Sequence, residues 1–303
     1  MEKVKKYILL SVGMVSVIAV STAYRNHLVR MSVVEDINSE TFLQDDAKQI
    51  EKNSNMNSDE IKLETMSGSY QSLNNEKCAW GFVRKQNGER PEFYGPHTKV
   101  LDQYQGIYCG NNNEKVLYLT FDEGYENGYT ASILDTLKEK EVTAAFFVTM
   151  PYVKQNPELV KRMIAEGHIV GNHTVNHPSM PEVTDNEKLA KEVMDLHNYV
   201  KENFKYEMSY LRPPKGEYSE RTVKLCLDLG YRHVLWSSAY ADWDPNNQKG
   251  TDYAKKMIFN NFHNGSVMLL HAVSKDNASV LGDVIEEAQG RGFTFLSLDE
   301  FEN

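Results

Sequence analysis

At 303 residues and 41% hydrophobic content, the chain is long enough for one large domain or two small ones and apolar enough to build a core. Its formal net charge of -10 excludes nucleic acid and anionic lipid as principal partners, because an acidic surface repels both, and leaves neutral or cationic substrates open. Three cysteines, Cys78, Cys109 and Cys226, are too few for a disulfide framework and lack metal-binding CxxC spacing. A single Cys78 to Cys109 bridge stays open for an exported domain.

In chain order, Lys3, Lys5 and Lys6 precede an apolar run from Tyr7 to Ala23. This pattern over residues 1–29 reads as an export signal, either cleaved after Ala23 or kept as a membrane anchor, and puts the remainder outside the cytoplasmic membrane. Residues 30–76 are polar and without sustained period, which predicts a tether. Residues 77–114 bring Trp80, Phe82, Phe93, Tyr94 and Tyr104, an aromatic lead-in to the main domain at 77–303.

From Val116 onward strand and helix signals alternate. Strands are predicted at 116–121, 144–148, 169–171, 210–212, 233–236, 267–270 and 293–296. Helices are predicted at 130–140, 157–166, 186–202, 221–229, 253–262 and 278–289. Such alternation predicts an α/β fold, an incomplete (β/α) barrel of about seven parallel strands, with functional groups at the strands' C-terminal ends.

Polar clusters fall at those ends. The first strand closes on Asp122 and Glu123 before Gly124. Two adjacent acids there read as a catalytic or metal-binding rim, or equally as a solvated loop pair. His173 and His177 are four residues apart, a spacing that on a helix or tight helical loop would turn both imidazoles toward one metal. Taken alone, two unrelated loop histidines explain the same letters. Arg212 opens RPPKGEYS, where a guanidinium could orient a carboxylate and the Pro-Pro-Lys215-Gly turn could aim a backbone N–H; a plain structural turn is the competing account. Asp242 and Trp243 offer an acid and an apolar wall. His271 ends an apolar strand, where Asp242 could pair with it and raise its pKa for general-acid work.

The ordered set TFDEG, HTVNH, RPPKG, ADW and LLHAV resembles the five motifs of the polysaccharide deacetylases, the NodB-homology or carbohydrate esterase family 4 domain, over roughly Lys115 to Phe301. The phrases YLTFDEGYENGYT, EGHIVGNH and YLRPPKG, with the WGF at Trp80, are similar to the subgroup that forms muramic δ-lactam in spore cortex peptidoglycan. The resemblance implies a metal-dependent deacetylase. Asp122 would be the general base and His173, His177 and Glu123 the ligands of a divalent metal, zinc. The backbone N–H of Lys215 would bind the oxyanion. His271, tuned by Asp242, would be the general acid, Arg212 would hold Asp122, and Trp243 and Leu269 would line the acetyl pocket. Glu123 departs from the family's aspartate and reaches further by one methylene, which puts the metal site in question.

The implied substrate is peptidoglycan already stripped of stem peptides by an amidase, and the implied location is exported, membrane-anchored or secreted, at the forespore cortex. An N-acetylglucosamine deacetylase acting on peptidoglycan or chitooligosaccharide, and a non-catalytic wall-binding homologue, are the alternatives. Adjacent carboxylates cannot straddle a glycosidic bond, which disfavours a glycosidase.

Overall fold

The computed structural model describes Tyr70 and residues 72–85 and 88–301. The predicted signal segment and most of the polar tether lie outside the described residues. The tether's last residues belong to the folded unit: Tyr70 is buried with its hydroxyl donating to Asp228 at 2.7 Å, and Asn75 accepts from Ser219 and Arg221. The domain therefore begins ahead of the expected boundary at residue 77, because an aromatic ring can bury itself even within a polar stretch.

The lead-in forms β1 (Cys78–Ala79), β2 (Phe82–Val83), β3 (Glu92–Phe93) and α1 (Gly95–Gln103). There follow β4 (Val116–Glu123), α2 (Thr130–Glu139), β5 (Ala145–Val148), α3 (Met150–Gln155), α4 (Pro157–Ala165) and β6 (Ile169–Asn172). The second half runs α5 (Asn186–Phe204), β7 (Tyr210–Leu211), β8 (Glu217–Tyr218), α6 (Glu220–Asp228), β9 (Arg232–His233), α7 (Thr251–Phe259), β10 (Ser266–His271), α8 (Lys275–Gly290) and β11 (Thr294–Phe295). Local chemistry sets the helix starts: Asp185 accepts from the Glu187 and Lys188 N–H groups at α5, and Ser219 and Thr222 form a capping box at α6. α4 opens on Pro157, whose missing N–H costs nothing there.

The strands make a curled parallel sheet in the order β10-β4-β5-β6-β7-β9, with β11 pairing to the start of β4. Ser238 bridges to Met268, so the chain beyond β9 reaches back to β10 and the sheet closes toward a barrel. The incomplete barrel expected from the alternation is thus the fold found. Along β4 the side chains alternate: Leu117, Leu119 and Phe121 join the main core with Leu134, Leu137 and Val284 of the helices, while Tyr118 packs inside the barrel with Phe147, Val234 and Val267. Each fully buried Phe or Leu contributes about 1.5–3 kcal/mol by leaving water. Cys78, Cys109 and Cys226 are free thiols, so the bridge left open by the sequence is not formed. Among the described residues no helix is long and apolar enough to cross a membrane.

Candidate active site

A cleft of about 1000 Å³ opens at the C-terminal ends of the strands, and Asp122, His173, His177, Lys215, Trp243, Leu269 and His271 all line it. Its centre is set by strand register. β4 and β10 run parallel with Asp122 directly beside His271. Strand alternation turns both inward, since Tyr118, Thr120 and Asp122 share one face of β4, and Val267, Leu269 and His271 one face of β10.

Each of the two groups has its own partner. Arg212, fully buried, donates through Nη1 to Asp122 Oδ1 at 2.8 Å. Its Nη2 goes to Thr120 Oγ1 at 2.8 Å rather than to the second carboxylate oxygen, so the pair is single and not a bidentate fork. The guanidinium also lies over the Phe147 ring, 4.2 Å from its centroid. Burial alone would raise the Asp122 pKa, but the charge and hydrogen bond of Arg212, with His271 beside it, hold it below the usual carboxylate value, so it is ionised at neutral pH. His271 Nδ1 lies 2.8 Å from Asp242 Oδ1, and its backbone N–H donates to Asp242 Oδ2 at 2.9 Å. With Nδ1–H committed to the carboxylate, Nε2 is the nitrogen left for the cleft. Burial works against the imidazolium, yet the charge and hydrogen bond of Asp242, with Asp122 behind them, overcome it and raise the pKa above 6.5. The site thus pairs an ionised acid with a protonatable base, the arrangement that general acid–base chemistry needs.

The histidine pair arrives by a different route from the one expected. HTVNH is a loop, not a helix: Thr174 and His177 both take left-handed conformations, at φ 70 and 57. Asn172 accepts from Thr174 N–H at 2.8 Å and donates to Val193 O and the Tyr231 hydroxyl, which pins this bend. His173 donates from Nδ1 to the Arg212 carbonyl at 2.7 Å, leaving Nε2 3.6 Å from Asp122 Oδ2, and the two imidazole centroids lie 4.7 Å apart, edge to face. Burial lowers both pKa values, that of His177 to about 4, so both rings are neutral with a lone pair to offer.

Glu123 does not join them. The residue after Asp122 on a strand faces the opposite way, and Glu123 sits fully buried on the helix side, its Oε1 3.4 Å from Thr130 Oγ1 and its Oε2 without a partner. Burial, then the nearby Glu126, raise its pKa well above the carboxylate range, which favours the neutral acid. Its expected place as third metal ligand is corrected on this geometry. Among the described residues no group of three His, Cys, Asp or Glu side chains is arranged to hold a metal.

Lys215 lines the cleft and stands at φ 60 in the RPPKG turn. Leu269 forms part of the cleft floor, and Trp243 is 59% exposed at the rim with its ring edge-on to His271, centroids 6.3 Å apart. Two supports escaped the sequence reading. Thr120 relays Arg212 to the Met268 carbonyl, and Asn277 on α8 donates to Asp242 Oδ2 at 2.6 Å. Thr120 was recoverable, being two residues before Asp122 and therefore on its face; nothing local marks Asn277.

Comparison with known proteins assigns the chain to a family. Residues 110–234 match the polysaccharide deacetylase family. The chain is 44% identical over 231 residues to the peptidoglycan-N-acetylmuramic acid deacetylase PdaA of Bacillus subtilis, covering 75% of this chain and 86% of that protein. It is 32% identical over 194 residues to a peptidoglycan-N-acetylglucosamine deacetylase of Bacillus cereus, covering 62% of this chain and 89% of that one. The solved structure of Bacillus subtilis PdaA, a family 4 carbohydrate esterase, superposes with a TM-score of 0.73 at 43% identity, over 76% of this chain and 98% of that one. The chain belongs to the polysaccharide deacetylase family, carbohydrate esterase family 4, whose members hydrolyse N-acetyl amide bonds.

Proposed function

We propose that this protein deacetylates peptidoglycan at N-acetylmuramic residues whose stem peptide has already been removed by an amidase, outside the cytoplasmic membrane. The observation that carries the chemistry is the register that sets ionised Asp122 beside His271 in one cleft. Likeness to a deacetylase named for N-acetylmuramic acid supports the substrate. The basic, then apolar, N-terminal sequence supports export, and the spore cortex is the place where the resembled chemistry belongs.

In the reaction, Asp122 takes a proton from water as the water oxygen adds to the acetamide carbonyl carbon. The Lys215 backbone N–H donates to the oxygen that becomes negative. The tetrahedral adduct then breaks its C–N bond, His271 gives its proton to the departing nitrogen, and acetate leaves. Asp242 holds His271 protonated for that step. The freed amine lies next to the residue's own lactyl carboxyl and condenses with it, losing water, to close the δ-lactam.

Members of this family are generally metal-dependent. A zinc site takes at least three protein ligands, whereas this chain presents two imidazoles, with Asp122 held by Arg212 and Glu123 turned away. The three-ligand zinc implied by the resemblance does not fit, and the steps above rest on the chain's own groups. The test is the full chain on peptide-free glycan strands, with and without added divalent ions, read by mass spectrometry. Loss of acetyl plus water from muramic residues is the expected result. Loss of acetyl from glucosamine residues alone would replace the substrate, and no change under any condition would point to the wall-binding alternative.

A further inference from the structure

The cleft holds more positive charge than the reaction uses. Of the permanently charged side chains lining it, Asp122 is neutralised by buried Arg212, which leaves Arg84 and Lys215 at the opening, neither in an ion pair among the described residues. In a chain of net charge -10 this is not an overflow of basic residues. Lys215 belongs to the oxyanion turn. Arg84 comes from the lead-in, ahead of the residues that match the family.

That lead-in is held firmly. β1 pairs antiparallel with β8, the Trp80 backbone N–H donates to Gly216 O at 2.9 Å, and Trp80 Nε1–H donates to Trp236 O at 2.8 Å. The fit leaves no room at Gly216, where φ is +66 and an added Cβ would sit 3.0 Å from Trp80 Cβ and 2.9 Å from the Trp236 ring. β2 follows directly, so Phe82 and Arg84 become a fixed wall of the cleft. The Arg84 guanidinium spends an Nη2 N–H on the Ala239 carbonyl, a cleft-lining residue, and makes no ion pair with a carboxylate among the described residues. Its remaining N–H donors form a planar fork, the shape that recognises a carboxylate through two parallel hydrogen bonds.

We propose that Arg84 is a specificity-determining residue that, beside Lys215, binds the free lactyl carboxylate of a muramic residue in the cleft. The inference rests on the muramic reading above and adds the group that reads it. Removal of the stem peptide creates this carboxylate, on the ring position next to the acetamide, so a cation that recognises it must share a cleft with Asp122 and His271. N-acetylglucosamine has no such group.

The test compares wild type with Arg84→Gln and Arg84→Lys as full chains. Substrates are peptide-free strands and the same strands with their lactyl carboxyls converted to neutral amides. Arg84→Gln is expected to raise KM on the free-acid strands about tenfold with kcat nearly unchanged, the loss of a charge-assisted pair. Arg84→Lys should recover part of it, and added salt should raise KM for wild type more steeply than for Arg84→Gln. The amide strands should bind wild type as poorly as the free acid binds Arg84→Gln. An unchanged KM in Arg84→Gln while wild type still deacetylates muramic residues would overturn this role alone; so would an equal loss on both substrates, the sign of a damaged wall. Failure of wild type to act on muramic residues would overturn the substrate reading and this one with it.

Discussion

His233 offers a quantitative test of how burial acts in this fold. On β9 the neighbouring Val234 faces the barrel interior, so His233 faces the other way, 1% exposed, and neither ring nitrogen has a hydrogen-bond partner. Burial alone pushes its pKa down from 6.5 to about 3. The folded-state value is depressed, so the unfolded chain binds the extra proton throughout that window: this contribution to stability is intact above pH 6.5 and is lost as the pH falls toward 3. At about 1.4 kcal/mol per pH unit below 6.5, lowering the pH from 7.5 to 4.5 costs the native state about 2.7 kcal/mol through this residue. His233→Leu removes the titration and, at pH 7.5, relieves two unpaired buried nitrogens worth about 1–2 kcal/mol. Urea denaturation of both proteins at pH 7.5 and 4.5 measures this as a double difference, in which the other buried histidines, His168, His173 and His263, cancel. The variant should be the more stable at pH 7.5 and should widen its lead by about 2.7 kcal/mol at pH 4.5. Parallel loss of stability in the two proteins would refute the reasoning.

Glu123→Gln should leave kcat/KM within about threefold of wild type, because the carboxyl lies behind the sheet; a loss of about a hundredfold or more, with weakened zinc binding by calorimetry, would restore it as a ligand. The raised pKa of Glu123 means that wild-type stability falls as pH rises through the folded-state value, so denaturation should show the Gln variant gaining on wild type from pH 5 to pH 8. Asp242→Asn removes the charge that holds His271 protonated: kcat should fall about a hundredfold or more and the alkaline limb of its pH profile should move to lower pH, whereas an unmoved limb would detach His271 from the acid role. Arg212→Met leaves Asp122 buried and unpaired and should cost about 3–5 kcal/mol by denaturation, with activity lost; a variant as stable as wild type would contradict the buried pair.

Much of this was legible in the letters because it is periodic or local. The alternation of apolar strands with amphipathic helices specified a barrel, since each strand must bury both faces and each helix one, and the motifs at strand ends named Asp122, His173, His177, Arg212, Asp242 and His271. Glu123 shows where reading by proximity fails. Ending the strand at Phe121 left the two acids as equals on a rim, but β4 continues through Glu123, and a period of two sends neighbouring side chains to opposite sides of the sheet. The HTVNH loop makes the converse point: the helical spacing was wrong, yet the two rings still meet, because positive φ at Thr174 and His177 folds the loop back on itself.

The sequence by itself therefore determined the fold class, the family and most of the reacting groups, all carried by short-range pattern. Only the tertiary structure decided that Asp122 sits beside His271, that Asn277 steadies Asp242 from 35 residues away, and that Arg84 of the lead-in reaches the cleft. Those placements depend on strand register and on packing between segments distant in the chain, for which no local pattern carries a signal.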